Sequence, residues 1–144
     1  RDPGERVISV AYYALIRVDK YREDLGEKYN ARWFDIAEFP DLVFDHNQMV
    51  DKALRRLKRK TRIQPVGFEL LPKKFTIPQL QKLYEAIHQQ ILDKRNFRKK
   101  ILSFGILNKL EEKDRESSKK GAFLYKFNPE KYEMLQDRGM HFEI

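Results

Sequence analysis

The feature that most constrains this chain is a short basic segment, residues 93–105, whose end residues favour helix termination. Asp93 can cap the free N–H groups of a first turn, and Gly105 can take the left-handed conformation that follows a helix. Phe97, Ile101 and Phe104 are spaced at i, i+4 and i+7, so they share one face. The spacing predicts an amphipathic helix that is anchored by aromatic and aliphatic side chains.

The polar side of this predicted helix is strongly cationic. Residues 93–102 hold five cations and one anion, a local charge of +4. Such a face suits a DNA major groove, because Arg and Lys pair with guanine and phosphates, and Asn pairs with adenine. An ordinary helix with a solvated basic face would show the same pattern. Opposite the aromatic face lie Arg95, Asn96, Lys99 and Ser103, and beside them lie Lys94, Arg98 and Lys100.

A second helix is predicted directly before the basic one. Thr76 and Gln79 have the spacing of a capping box, and Pro78 lies in the first turn, where no N–H is needed. Apolar residues recur at helical spacing from Ile77 to Ile91, so Ile91 is expected to join the buried stripe. Two short helices joined by a tight turn, the second one basic, predict a helix-turn-helix.

The residues after the basic helix are expected to form a β-hairpin, the wing of a winged helix. A short strand is predicted at residues 106–110, a charged loop at Glu111–Lys120 and a returning strand at Ala122–Phe127. The loop holds four cations and four anions, so only Lys119 and Lys120 are well placed to touch DNA. A last helix is expected from Asn128 to Gly139.

The first 64 residues show a different pattern. Val7–Val18 is apolar on both alternation sets, which predicts a strand that is covered on both faces. A second strand is predicted at Ala31–Phe39, and a helix from Asp45 to about Lys60. Two strands alone cannot cover the first one, so an upstream segment or another chain is expected to complete the sheet. Proline and glycine residues after position 64 place the domain boundary there.

The amino-acid composition limits the functional classes to which this chain can belong. The chain of 144 residues has a formal net charge of +8, which favours a polyanionic partner. It has no cysteine, so disulfides and thiolate metal sites are excluded and a cytoplasmic location is expected. The three histidines are far apart, and no apolar run is long enough to span a membrane. No catalytic motif is visible, so no catalytic residue, metal ligand or cofactor is expected.

Several segments resemble those of a known family. The segment Arg1–Tyr13 resembles the strand that follows the catalytic helix in Nudix domains, and Phe44–Leu57 resembles their last helix. Phe75–Ile87 and Asp93–Lys100 closely resemble the C-terminal winged helix of Nudix-related transcriptional regulators. Ala122–Phe127 is similar to their returning wing strand.

The resemblance implies an α+β chain, with part of a Nudix-like α/β effector domain at residues 1–64 and a winged helix-turn-helix at 65–144. It implies a dimeric repressor or activator that binds double-stranded operator DNA and senses a small effector, either an ADP-ribose-type nucleotide or a sugar. The Nudix box of glycine and glutamate residues is absent from this sequence, which argues against hydrolysis. Two alternatives stay open: a Nudix hydrolase of the ADP-ribose pyrophosphatase type with an accessory domain, and a protein-binding module.

Overall fold

The computed structural model describes residues 8, 10–16, 28–115, 121–139 and 142. The chain divides into two compact units, Arg1–Ala53 and Leu54–Ile144. The boundary at residue 64 stays a prediction. The elements of the described residues are α1 (His46–Ile63), a 3-10 turn (Phe68–Leu70), β1 (Phe75–Thr76), α2 (Ile77–His88), α3 (Lys94–Ser103), β2 (Leu107–Asp114), β3 (Ala122–Phe127) and α4 (Pro129–Asp137).

The second unit is a winged helix with an α+β architecture, as the sequence predicts. Its antiparallel sheet has the order β1-β3-β2, with Phe75 opposite Tyr125 and Leu107 opposite Phe127. Helices α2 and α3 form the helix-turn-helix, and the β2–β3 pair forms the wing. One continuous apolar core joins these elements, and its buried members include Phe68, Phe75, Ile77, Leu80, Tyr84, Phe97, Ile101, Ile106, Tyr125, Leu135 and Phe142.

The start of α2 is fixed by the capping box that the sequence predicts. The Gln79 N–H donates to the Thr76 hydroxyl at 3.3 Å, and the Thr76 N–H donates to the Gln79 side-chain oxygen at 2.8 Å. Pro78 lies in the first turn, where its missing N–H costs no hydrogen bond. The cap therefore satisfies free N–H groups next to a buried strand, β1, and sets the direction in which α2 leaves the sheet.

The C-terminal part of α1 belongs to the winged-helix unit. The buried Thr61 hydroxyl lies 3.0 Å from the Leu57 carbonyl oxygen and 3.1 Å from Nε2 of His88 at the end of α2. Lys58 donates to the Gln89 side chain at 2.6 Å. Burial, followed by the charge of the nearby Arg62, lowers the pKa of His88. His88 thus lies between the C-terminal part of α1 and the end of α2, and this part of α1 supports the helix-turn-helix.

The wing differs from the sequence prediction in its first strand. We predicted a charged loop from Glu111, but β2 continues to Asp114, so the first four loop residues are in a strand. A strand at the edge of the sheet can expose charged side chains to water, and a register shift between Lys109 and Lys113 accommodates the extra residues. The ammonium groups of these two lysines lie 3.8 and 4.6 Å from the ring centre of Phe123.

The C-terminal segment confirms one prediction and adds a contact that the sequence did not reveal. Asn128 caps α4 by accepting the Lys131 N–H at 3.1 Å, and Gly139 follows the helix with a φ of +69°. Phe142 is buried, and its ring centre lies 4.6 Å from that of Phe104. Phe142 thus closes the apolar core beside the end of α3.

The strand predictions for the first unit are wrong for the described residues. Residues 8, 10–16 and 31–39 contain no strand, and Tyr12 is 92% exposed. Asp35 instead forms a turn, since its carboxylate accepts the Ala37 N–H at 2.8 Å. A strand requires a hydrogen-bonded neighbour, and the described part of this unit supplies no neighbouring strand. Residues 7, 9, 17 and 18 of the first predicted strand lie outside the described residues.

We expect Phe97→Ala to lower the free energy of unfolding by about 3–5 kcal/mol, because the side chain is only 4% exposed in the core between α2 and α3. The measurement is urea denaturation of the complete chain, followed by circular dichroism. Phe97→Leu keeps most of the apolar volume and should cost less than half as much. Met134→Ala, at a 54% exposed position, is the control. A loss below about 1 kcal/mol for Phe97→Ala would contradict this orientation of α3.

Candidate nucleic-acid interface

Both ends of α3 are formed by the residues that the sequence indicates. The Asp93 carboxylate accepts the Asn96 N–H at 2.8 Å, which satisfies a free donor of the first turn. Gly105, with a φ of +68°, follows the last helical residues and turns the chain into the wing. The basic helix therefore has fixed limits, which a recognition helix needs.

The buried face of α3 determines which side chains point outward. Phe97 and Ile101 are buried, and the ring centre of Phe97 lies 5.8 Å from that of Tyr84 on α2. The sequence-predicted contact residues on this helix are all exposed: Lys94, Arg95, Asn96, Arg98, Lys99, Lys100 and Ser103. The structure thus brings these seven residues together on one solvent-facing surface. The two candidates in the wing, Lys119 and Lys120, lie outside the described residues.

Two of the seven exposed residues also make local contacts. The Ser103 hydroxyl donates to the carbonyl oxygen of Lys100 at 2.7 Å, so its proton is not available to a ligand in this geometry. The ammonium group of Lys100 lies 5.8 Å from the ring centre of Phe104. This distance is near the outer limit for a cation–π contact, and the ammonium remains exposed and able to meet a phosphate.

The turn between α2 and α3 is held by two side chains of α2, a feature that the sequence analysis missed. The Leu92 N–H donates to the Glu85 carboxylate at 3.0 Å, and the Gln81 amide donates to the Leu92 carbonyl oxygen at 2.8 Å. Gln81 also donates to Glu85 at 2.9 Å. Both backbone groups of Leu92 are therefore paired, and the segment that presents α3 is fixed to α2. The only sequence signal was the i, i+4 spacing of Gln81 and Glu85.

An open groove of about 590 Å³ runs along this turn and the first half of α3. Its lining combines the basic and amide side chains of the helix with apolar residues of the turn: Gln90, Ile91, Leu92, Asp93, Asn96, Phe97, Lys99 and Lys100. Groups that pair with phosphates and with base edges thus lie on one surface with apolar groups. Proteins that bind the major groove of DNA use both kinds of group, polar ones for phosphates and base edges and apolar ones for the thymine methyl group.

The described residues offer little for chemistry of other kinds. Among them, no group of three or more His, Asp or Glu side chains is arranged to hold a metal ion. No described helix is both long and apolar enough to cross a membrane.

We expect Glu85→Gln to weaken the turn at neutral pH but not in acid. The Leu92 N–H, followed by the Gln81 amide, stabilises the carboxylate and lowers the pKa of Glu85 below its ordinary value of 4.5. Stability from this group is therefore present above pH 4.5 and is lost as the pH falls through the lower folded-state pKa. The variant should have a lower urea midpoint than the wild type at about pH 7, and the difference should shrink towards about pH 4.

The matched control for this measurement is Glu133→Gln, which removes a carboxylate from an exposed position on α4. Its urea midpoint should stay within error of the wild-type value across the same pH range. An equal difference between wild type and Glu85→Gln at every pH would show that the charge of Glu85 does not stabilise the turn.

Comparison with known proteins agrees with this geometry. Residues 67–127 match the family described as the NrtR DNA-binding winged helix domain. The chain is 30% identical over 135 residues to the "ADPR responsive transcriptional repressor NtrR" of Acinetobacter baylyi, an alignment that covers 92% of this chain and 54% of that protein. The chain thus spans about half the length of this curated relative.

One solved structure shares the fold of this chain. The crystal structure of Shewanella oneidensis NrtR superposes with a TM-score of 0.55 at 26% identity, covering 75% of this chain and 45% of that one. The structure of the same protein complexed with a 27mer DNA gives a TM-score of 0.49 at 27% identity, covering 75% and 46%. The element order and the wing agree with the match of residues 67–127 to the NrtR DNA-binding winged helix domain.

Proposed function

We propose that this chain is part of a transcriptional regulator that binds operator DNA through α3. The observation that carries the proposal is the orientation of α3, since burial of Phe97 and Ile101 leaves only polar and basic side chains outward. The match of residues 67–127 to a DNA-binding winged helix family supports it. The net charge of +8 is consistent with a polyanionic partner.

The position of each side chain on α3 gives it a distinct role in this proposal. Arg95, Asn96 and Lys99 lie opposite the buried face, so they are assigned to base edges in the major groove. Lys94, Arg98 and Lys100 flank that face and are assigned to phosphates. The two wing lysines, Lys119 and Lys120, are also assigned to phosphates. The Ser103 hydroxyl already donates its hydrogen bond to the Lys100 carbonyl oxygen, so Ser103 is assigned only a role as an acceptor.

We expect Asn96→Ala and Lys100→Ala to weaken DNA binding in different ways. Asn96→Ala should cost about 1–3 kcal/mol on an operator selected from random duplexes and little on a scrambled duplex. Lys100→Ala should weaken binding to both duplexes alike and reduce the salt slope by about one unit. The measurement is a titration of the full-length protein at about 50 and about 200 mM salt.

Met134→Ala is the control for both variants, because it changes an exposed residue on α4 rather than on α3. Equal loss of both affinities for Asn96→Ala, or no loss at all, would contradict the face assignment. If the wild type selects no duplex from random sequence, the regulator proposal itself fails, and a protein-binding module becomes the better interpretation.

We also propose a ligand-sensing role for the N-terminal part, residues 1–64. The support is the resemblance of Arg1–Tyr13 and Phe44–Leu57 to Nudix segments and the relative whose name describes it as ADPR-responsive. In this proposal an ADP-ribose-type nucleotide binds the Nudix-like part of a cytoplasmic homodimer and changes the distance between its two α3 helices. The two α3 helices then fit the two half-sites of the operator less well, and the protein dissociates from the promoter.

We expect ADP-ribose to change the operator affinity of the full-length protein by at least about fivefold, a typical coupling between two sites. The measurement repeats the operator titration with and without ADP-ribose, with ADP at equal concentration as the control. A response to a pentose sugar in place of ADP-ribose would reassign the effector. No response to either compound would contradict the sensing role.

The rival function is hydrolysis of ADP-ribose, for which the winged helix would be an accessory. We propose that these 144 residues lack this activity, because their sequence holds no Nudix box. The purified chain of 144 residues should leave ADP-ribose intact in the presence of magnesium or manganese. Metal-dependent turnover well above a buffer blank would favour the rival.

A further inference from the structure

We propose that Ile91 is a specificity-determining residue that reads the C5-methyl group of a thymine in the major groove. The inference rests on the proposed DNA-binding function and adds an apolar contact to the polar contacts of α3. The structure assigns Ile91 this role through its exposure, its rigid support and its neighbours.

The exposure of Ile91 is the first observation. The sequence predicts that Ile91 continues the buried stripe of α2, but this prediction is wrong, because α2 ends at His88 and Ile91 is 91% exposed. Gln89 takes a left-handed conformation with a φ of +54°, and this changes the direction of the chain. The helical period is therefore lost before residue 91, and Ile91 points away from the core that holds Ile87.

The second observation is the support beneath Ile91. Its neighbour Leu92 has both backbone groups fixed, by Glu85 and by the 7% exposed Gln81. An exposed apolar side chain on a mobile loop would have many positions, but this turn is held to α2 by two hydrogen bonds at Leu92. A third hydrogen bond, from Gln81 to Glu85, joins the two supporting side chains to each other. Ile91 is therefore presented to solvent in a defined place, and little backbone entropy is lost when it binds.

The third observation is the set of residues that share the groove with Ile91. Asn96, Lys99 and Lys100 line the same groove, and the first two belong to the face assigned to base edges. A DNA duplex is the occupant that this charge and chemistry fit, since phosphates meet the lysines and an adenine meets the amide. Ile91 lies at the edge of that footprint, on the turn that leads into α3.

The chemistry of the major groove determines what Ile91 can read there. Isoleucine has no hydrogen-bonding group in its side chain, so it cannot pair with the donors and acceptors of a base edge. The C5-methyl of thymine is the apolar group that the four base pairs present in this groove. Contact between the two would remove apolar surface of both partners from water, and it would favour thymine over cytosine at that position.

The test replaces each thymine of the selected operator, in both half-sites, by deoxyuridine. This substitution removes only the methyl group and keeps every hydrogen-bonding group of the base. The full-length wild-type protein, Ile91→Ala and the control Met134→Ala are titrated against each duplex. Circular dichroism confirms that Ile91→Ala is folded, as expected for an exposed side chain.

The proposal expects one symmetric thymine position at which deoxyuridine weakens wild-type binding by about fourfold or more, as expected for a lost methyl contact. At that position deoxyuridine should weaken the binding of Ile91→Ala by less than about twofold. The binding of Met134→Ala should be weakened as much as that of the wild type. On the unmodified operator, Ile91→Ala should bind more weakly, with an unchanged salt slope.

Three results would overturn the proposal. The first is a deoxyuridine response that is the same in wild type and in Ile91→Ala at every position. The second is an equal loss of affinity on operator and scrambled DNA for Ile91→Ala, which would place the side chain against the sugar-phosphate backbone. The third is the absence of any preferred duplex for the wild type, which would overturn the proposed function as well and is thereby distinguishable from the other two.

Discussion

The packing of α3 against α2 is the interaction on which the rest of the interface depends. Phe97 and Ile101 lie in the core with Leu80 and Tyr84, and this contact fixes the rotation of α3 about its own axis. Helical geometry then determines where every other side chain of α3 points. Five cations and one asparagine become a single exposed surface because two apolar residues are buried. Burial, rather than the charges themselves, produces the candidate site.

The sequence predicted the elements whose signals are local. Thr76, Gln79 and Asp93 cap their helices with the bonds expected from their spacing. Phe97 and Ile101 are buried where we expected them, and Phe104, just after the helix, is partly buried. Each of these signals acts over one or two helical turns, so neighbouring residues are enough to define it. The same helical spacing predicted which side chains of α3 are exposed.

The predictions that failed concern distant partners or a change of period. Ala31–Phe39 has strand-forming residues, but a strand also needs a paired neighbour, and composition does not show whether one exists. Ile91 keeps the helical spacing of α2, but the left-handed Gln89 ends that helix first. Phe142 packs on Phe104 across a long stretch of sequence, and no local pattern marks such a contact. The Leu92 contacts of Gln81 and Glu85 were missed for the same reason.

The two kinds of contact at the interface require different degrees of precision from the fold. A lysine meets a phosphate through a long, flexible side chain and a field that acts over several ångströms, so small errors in the position of α3 cost little. An amide that reads adenine and a side chain that touches a methyl group act only at contact distance. Leu92 accepts a hydrogen bond from Gln81 and donates one to Glu85, and these two bonds hold the segment next to Asp93, where the short-range contacts begin. Rigid support is thus found where sequence would be read, and the cations that supply general affinity need less of it.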